Sequence, residues 1–448
     1  MAKNQYDFTE GKIYKQLWRF STPIILANLL QVSYQLVDSL WVGNLIGANA
    51  LGSVAISATI IFTVLSFVIG MNNASLTILS QQRGRENEDG VQNYLNAFVV
   101  ILTSLSIILG VLGYVFAEPI LRLLGTPEAM MESARAYLRI NFIGIFFLMG
   151  YNFIGTVLRA VGDSRTPLGF TLLAVICNVF LDPFFIAVLN LGVEGAAYAT
   201  ITSQGIAFTY GLSFMLKRNL VTFTRLQMPK KEEVTLILHL GIPSGLQMAV
   251  ISAGIAAIMS VVTSFGEDVV AGFSAAQRLD SVLILPAHAL GIAVNSMAGQ
   301  NIGVKKWDRV KQIAVYGVLY NFCIMIVIAL LLVLFARYGI TLFIREEHSV
   351  EFGTEYLKII AFFYPFLGIN FALNGIVRAA GAMYQVLVLN VISFWILRYP
   401  LAYACSSLFG EKGIALGMGF SFVISSIIAF LYYRYGGWHN KVLFKEHE

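Results

Sequence analysis

The sequence predicts an all-α membrane protein of about twelve transmembrane helices, arranged as two six-helix lobes related by a pseudo-two-fold axis. Three observations carry this. Hydrophobic residues make up 57% of the 448 and charged residues only 12%, with a mean hydropathy of +0.74; that is about half the charge of a soluble chain, so much of the surface meets something other than water. The apolar residues gather into runs of ~20 or more, enough to cross ~30 Å of hydrocarbon as a helix, whereas a barrel would show ~10-residue segments of alternating polarity. Finally, the second half of the chain repeats the pattern of the first at an offset of about 220 residues.

The spans follow where polar clusters punctuate the apolar runs. They are 17–42, 52–80, 93–117, 134–158, 168–190 and 195–216 in a first lobe, residues 1–216. After a basic cytoplasmic linker, 217–233, come 235–264, 271–298, 311–336, 355–378, 384–408 and 413–435 in a second lobe, 234–448. About 21 of the 30 lysines and arginines fall on one side, among them Lys12, Arg83, Arg159, Lys217, Lys306, Arg378 and Arg434, while the loops 43–51, 191–194 and 265–270 hold none. The positive-inside rule makes the basic side cytoplasmic and places both termini there. The polar opening segment has no cleavage site and reads as a cytoplasmic lead-in, not a signal peptide. Cys177, Cys323 and Cys405 fall inside apolar runs with no metal or disulfide spacing and are expected as buried small hydrophobes.

The repeat is visible in particular residues. Ser21-Thr22-Pro23 recurs as Gly241-Ile242-Pro243, Gln81-Gln82-Arg83-Gly84 as Gln300-Asn301-Ile302-Gly303, and Val157 to Gly162 as Ile376 to Gly381. Pro119 to Ile140 and Thr341 to Ile359 share an apolar stretch, acidic residues, then Tyr-Leu-basic-Ile. Six spans is an even number, so both lobes insert with the same topology. Repeated halves meeting at the midplane are an architecture of alternating-access transporters, although duplication also serves membrane proteins that scaffold or conduct.

An ionisable residue at a helix centre costs at least ~2.5–3.5 kcal/mol on insertion scales, which makes each one a candidate site. Gln31, Gln35 and Asp38 lie three to four residues apart and share a face of the first span, with Ser33 and Tyr34 bordering it. Asp182 follows Asn178 by one turn and precedes Pro183, which frees a carbonyl about one turn back. At the helical rise Asp182 lies ~21 Å from the cytoplasmic face; Thr200 and Asp38 fall in the same half of the membrane. Asp38, Asn178, Asp182 and Thr200 can therefore gather in one polar pocket, suited to a proton or cation, or packed simply as a hydrogen-bonded core. Arg278 and Asp280 are close enough to neutralise each other or to bond neighbouring helices. Arg398, before Tyr399-Pro400, stands near the repeat-equivalent place of Asp182; for these three a structural role is at least as well supported as a functional one. His288 reads as a core residue. No P-loop, dinucleotide fingerprint, HExxH motif or nucleophile elbow occurs, so no enzyme is expected and ion-driven transport is simpler than nucleotide-driven transport.

The segment Glu118 to Glu128 with Ala136-Tyr-Leu-Arg-Ile140, Leu158-Arg-Ala-Val-Gly-Asp-Ser-Arg-Thr-Pro167, and Pro23 with the Val-Asp38-Ser pattern together resemble the multidrug and toxic compound extrusion (MATE) family, over essentially the whole chain. The resemblance implies two six-helix lobes around a central cleft, exporting bulky, often cationic organic compounds against entry of H+ or Na+. In the DinF-like branch of that family the coupling site lies in the N-terminal lobe, at positions matched here by Asp38, Asn178, Asp182 and Thr200. The NorM-like branch relies on acidic residues in its seventh and tenth helices; the stretches 244–264 and 355–377 hold none in their embedded parts, Glu355 lying at the outer edge. Substrate contacts are expected from Gln31, Tyr34 and Gln35. No cofactor beyond the coupling ion, no metal beyond a possible Na+ at the four coupling residues, and no nucleic-acid partner is expected; membrane lipids surround what is expected to be a monomer in the cell membrane. The alternative is a lipid or lipid-linked oligosaccharide flippase of the same architecture, which would show a more cationic cavity for phosphate groups.

Overall fold

The computed structural model describes residues 6–217 and 227–444; residues 218–226, most of the predicted linker, lie outside them. The first half runs through α1 (Ile13–Leu45), α2 (Ala48–Gly84), α3 (Glu88–Leu123), α4 (Glu128–Ile143), α5 (Ile145–Ala160), α6 (Arg165–Pro183) and α7 (Gly192–Lys217). The second runs through α8 (Lys231–Thr263), α9 (Glu267–Leu283), α10 (Leu285–Gly303), α11 (Trp307–Thr341), α12 (Glu347–Ala361), α13 (Tyr364–Ala379), α14 (Met383–Val391), α15 (Tyr399–Phe409) and α16 (Lys412–Tyr435). No strand occurs among the described residues.

Among the described residues, eight helical stretches are long and apolar enough to cross a membrane, α9 with α10 and α14 with α15 each forming one, and the bent pairs α4–α5 and α12–α13 bring the number to ten. The remaining two of the twelve spans, α1 and α7, are helices of 33 and 26 residues whose polar side chains dilute their hydropathy. Helices such as α3, of 36 residues, reach roughly 54 Å at 1.5 Å per residue and project well beyond a ~30 Å hydrocarbon layer. Their ends follow local chemistry: Asn87 caps α3 by accepting from the Gly90 amide at 2.9 Å, with Glu88 and Asp89 in its first turn and Arg122 in its last, the arrangement that the helix dipole favours.

The chain packs as two compact units. Unit 1 holds residues up to Asp7 and Thr22–His239; unit 2 holds Phe8–Ser21 and Leu240 onward. The opening turns of α1 thus belong to unit 2 and those of α8 to unit 1. Within unit 2 this N-terminal stretch is clamped by buried polar groups: Gln300 Oε1 accepts from the Phe8 amide at 3.2 Å, and Asn301 Nδ2 and an Arg309 guanidinium nitrogen both donate to the Phe8 carbonyl at 2.9 Å.

Duplication extends to the backbone. Left-handed residues recur 219 positions apart, at Gly47 and Gly266, Glu86 and Lys305, and Gly162 and Gly381. Each unit also bends one span where the sequence predicts a continuous one: α4 and α5 meet at 49°, α12 and α13 at 54°. In unit 2 the cause is Pro365 at the start of α13, whose missing N–H cannot bond to the Ala361 carbonyl. In unit 1 the break falls at Gly144, whose amide closes α4 on the Ile140 and Phe142 carbonyls. A π-helical stretch follows each repeat proline or precedes it: Phe184–Val188 after Pro183 and Ile392–Arg398 before Pro400.

One expectation needs correcting. Only Cys405 is buried; Cys177 is half-buried and Cys323 faces outward from α11. A thiol is a small hydrophobe with little to lose against lipid, so an apolar run does not fix which face it takes.

Candidate functional site

The site in unit 1 is assembled by four helices. On α6, Pro183 removes the N–H that would bond the Val179 carbonyl, and the ladder widens over Phe184–Val188, where the Leu189 amide reaches back to the Phe184 carbonyl at 3.0 Å. Helix α7 packs against this irregular stretch through Gly195: a Cβ there would lie 2.8 Å from the Phe185 carbonyl carbon and 2.9 Å from its oxygen. That close approach holds α7 against α6, and five residues further along Thr200 stands beside Tyr34 of α1 and Tyr137 of α4. From α1, Tyr34, Asp38 and Trp41 project along one face at i, i+4 and i+7.

The four residues predicted as a cluster are all buried, Asn178 and Asp182 at 0% exposure and Asp38 and Thr200 at 7%. Asn178 Nδ2 donates to Asp182 Oδ1 at 3.0 Å. The Asp38 carboxyl lies within hydrogen-bonding reach of the Asp182 carboxyl, and the Tyr34 hydroxyl lies beside Thr200. One oxygen from each of five side chains is buried with no partner: Tyr34 OH, Asp38 Oδ1, Asn178 Oδ1, Asp182 Oδ2 and Thr200 Oγ1. Buried polar atoms are ordinarily satisfied, so five orphaned oxygens in one cluster mark a place where something positive or protic belongs. An apolar shell that includes Val42, Ala50, Val54, Ile140, Ile186, Val193 and Ala197 packs around the same helix ends and keeps the local dielectric low, where charge interactions are strong. Oxygen-only donors suit a hard cation or a proton. No group of three His, Cys, Asp or Glu side chains that could hold a metal ion occurs among the described residues.

Of the expected substrate contacts, only Tyr34 joins this cluster. Gln31 is half-buried, Gln35 is exposed, and neither side chain hydrogen bonds to the acid pair. Two further residues do join it. Tyr137 of α4, buried, stands within electrostatic reach of both aspartates and beside Thr200 and Asn141. Trp41 presents a buried, unpartnered indole nitrogen one turn from Asp38. The signal for Tyr137 was its Tyr-Leu-basic-Ile repeat, which returns with Tyr356.

Unit 2 places its charged residues differently. Asp280 and Arg278 do not pair: Asp280 accepts from the Tyr364 hydroxyl, while the Arg278 guanidinium lies 5.7 Å from the Phe343 ring centre. His288 packs edge-on against Phe371 with ring centres 5.8 Å apart, and Glu355 pairs with Lys412 at 2.6 Å. Arg398 is buried at 5% exposure.

Known proteins match this architecture. Over 441 residues, 98% of this chain and 99% of the relative, the sequence is 60% identical to "Probable multidrug resistance protein YpnP" of Bacillus subtilis (strain 168). A second protein of that organism, "Probable multidrug resistance protein YoeA", is 29% identical over 95% of this chain and 96% of its own. Among solved structures, an outward-facing multidrug resistance MATE family transporter of the MOP superfamily superposes with a TM-score of 0.91 at 23% identity, covering 97% of this chain and 98% of that one; this likeness concerns the fold. The MatE family model matches twice, at residues 23–184 and 243–404, two copies 220 residues apart that cover most of both halves. The chain therefore belongs to the MatE family of multi-pass membrane transporters.

Proposed function

We propose that this protein is a secondary antiporter that exports bulky, often cationic organic compounds in exchange for H+ or Na+ read by Asp38, Asn178, Asp182 and Thr200. The observation that carries the reading is the buried Asp38–Asp182 pair with its unpartnered oxygens. Two bare carboxylates in an apolar interior repel each other strongly, and a proton or a desolvated Na+ between them relieves that repulsion. Ion entry removes the negative charge that would hold a cationic substrate near Tyr34, Gln31 and Gln35, and biases the conformation of α1, which carries Pro23. Ion and substrate then exclude each other, which is the condition for antiport. The 60% identity to a protein named for multidrug resistance supports drug-like substrates. In this reading the protein lies in the cell membrane with both termini cytoplasmic, the side on which the basic residues gather.

The test is efflux of a cationic dye such as ethidium from proteoliposomes under imposed proton or sodium gradients, for wild type and Asp38→Asn. The wild type should concentrate dye uphill under one of the two gradients and the variant should only equilibrate it. Intact gradient-driven efflux by Asp38→Asn would refute the assignment.

A further inference from the structure

We propose that unit 2 holds an anion-recognising site centred on Arg398, which takes the carboxylate or phosphate group of an amphiphilic ligand. Arg398 closes the π-helical stretch Ile392–Arg398 and is 5% exposed. Its Nε donates to Ser421 Oγ at 3.4 Å, and Ser421, itself fully buried, donates in turn to the Met418 carbonyl at 2.6 Å. The guanidinium carbon lies 3.7 Å from the Phe394 ring centre and 4.8 Å from that of Phe422.

Among the described residues no carboxylate pairs with Arg398 and its terminal nitrogens reach no acceptor. The acid that could have neutralised it, Asp280, is bonded instead to Tyr364; Tyr356 lies within electrostatic reach of both charges without joining them. Aromatic faces compensate a buried guanidinium only in part, and an intramembrane cation without a counter-charge is costly. What remains is the forked edge of the guanidinium, whose geometry matches a carboxylate or phosphate bidentately, held between the Phe394 and Phe422 rings. Local π-helical backbone is itself frequent at functional sites.

Unit 1 carries no arginine at the matching place. At the 219-residue offset of the left-handed residues, the unit 1 counterpart of Arg398 is Val179, next to Asn178. Each unit sets this tyrosine against its last span, Tyr137 beside Thr200 of α7 in one and Tyr356 donating to Met418 Sδ of α16 at 3.5 Å in the other, and in unit 2 Arg398 lies within electrostatic reach of that tyrosine. The two frames thus differ: unit 1 gathers two carboxylates, and unit 2 places a guanidinium with Asp280 held apart on Tyr364.

Two matched pairs of probes test this on the purified full-length protein in detergent: a rhodamine free acid against its methyl ester, and short-chain phosphatidic acid against short-chain phosphatidylcholine. Charge-assisted hydrogen bonds make the anionic member of a pair bind at least roughly tenfold more tightly, and whichever pair shows the difference identifies a drug-like carboxylate or a lipid phosphate as the source. Arg398→Met should abolish the preference, and Arg398→Lys, which keeps the charge but loses the fork, should retain part of it. If neither pair discriminates in the wild type, or if the preference survives Arg398→Met, the proposal fails. Should Arg398→Met not fold, the Lys variant decides: an undiminished preference in it overturns bidentate recognition.

Discussion

Replacing Asp182 with asparagine changes the charge of the proposed ion site with almost no change in shape. The amide oxygen can still accept from Asn178 Nδ2, the 3.0 Å bond that orients the side chain, so the packing of α6 against α7 should survive. What is lost is one of two carboxylates. A cation about 4 Å from a carboxylate gains ~4 kcal/mol at an effective dielectric constant of 20, so Asp182→Asn should weaken ion binding by two to three powers of ten. Trp41 supplies the assay, since its buried indole nitrogen lies one turn from Asp38. Its fluorescence should titrate with whichever of H+ or Na+ drives efflux, and Trp41→Phe should remove the signal. In Asp182→Asn the titration should move out of the accessible range while thermal unfolding stays close to wild type. An ion response within threefold of wild type, with uphill efflux retained, would refute the argument that both carboxylates bind the ion.

Three further outcomes follow from the geometry. Thr200→Val keeps the volume but removes the hydroxyl whose oxygen is buried and unpartnered; losing one ligand of that kind should cost ~1–2 kcal/mol, roughly five- to thirtyfold in ion affinity by the same titration. Gly195→Ala places a Cβ 2.8 Å from the Phe185 backbone, which has no flexible side chain to move aside, so α7 should shift from α6, with a stability loss of ~1–3 kcal/mol and impaired coupling. Outside the spans, Glu346 caps α12 by accepting from the Ser349 amide at 2.7 Å and from the His348 amide at 3.3 Å, and these bonds, Ser349 first, hold its carboxyl below the usual carboxylate range. A depressed folded pKa means the cap is fully present above the unfolded value and is lost as pH falls through the folded one. Hydrogen exchange at Ser349 should therefore accelerate on acidification in wild type and be faster at neutral pH in Glu346→Gln, the two converging at low pH; a pH-independent difference would show that the carboxylate is not the cap.

The sequence makes the spans and their duplication legible because hydrophobic length and proline, glycine and arginine landmarks are local signals. Asp38, Asn178, Asp182 and Thr200 are also legible as a group, since polar residues at one depth of a membrane have few places to go but toward each other. Other features depend on what neighbouring helices do. The face of α1 illustrates this: spacing alone puts Gln31 and Gln35 with Asp38, yet the rotation of the packed helix buries the Tyr34 hydroxyl and Asp38 and leaves Gln35 exposed. Gly144 is not a strong enough breaker to announce the bend between α4 and α5 without the partner helices. Tyr137 reads as core because tyrosine in an apolar run usually is, and only the aspartates beside it change its meaning.

The least apolar spans carry a further consequence. Among the described residues, α1 and α7 are the two spans that fall short of the hydropathy of the others, and they are two of the four helices that converge on the acid pair. A helix that must display Tyr34, Asp38 or Thr200 to a buried partner cannot also be uniformly apolar, so weak hydropathy in an otherwise long helix locates the side of unit 1 where polar side chains meet inside the protein. In unit 2 the counterpart of α1 is α8, which passes the same test, and its polar chemistry moves instead to Asp280 on α9 and Arg398 before α15. Duplication supplied two like frames whose polar side chains differ: an acid pair in unit 1, and in unit 2 an acid held by Tyr364 and a separate guanidinium. A carboxylate pair suits a site that must trade a cation for a substrate, and an unpaired guanidinium suits one that must hold an anionic group.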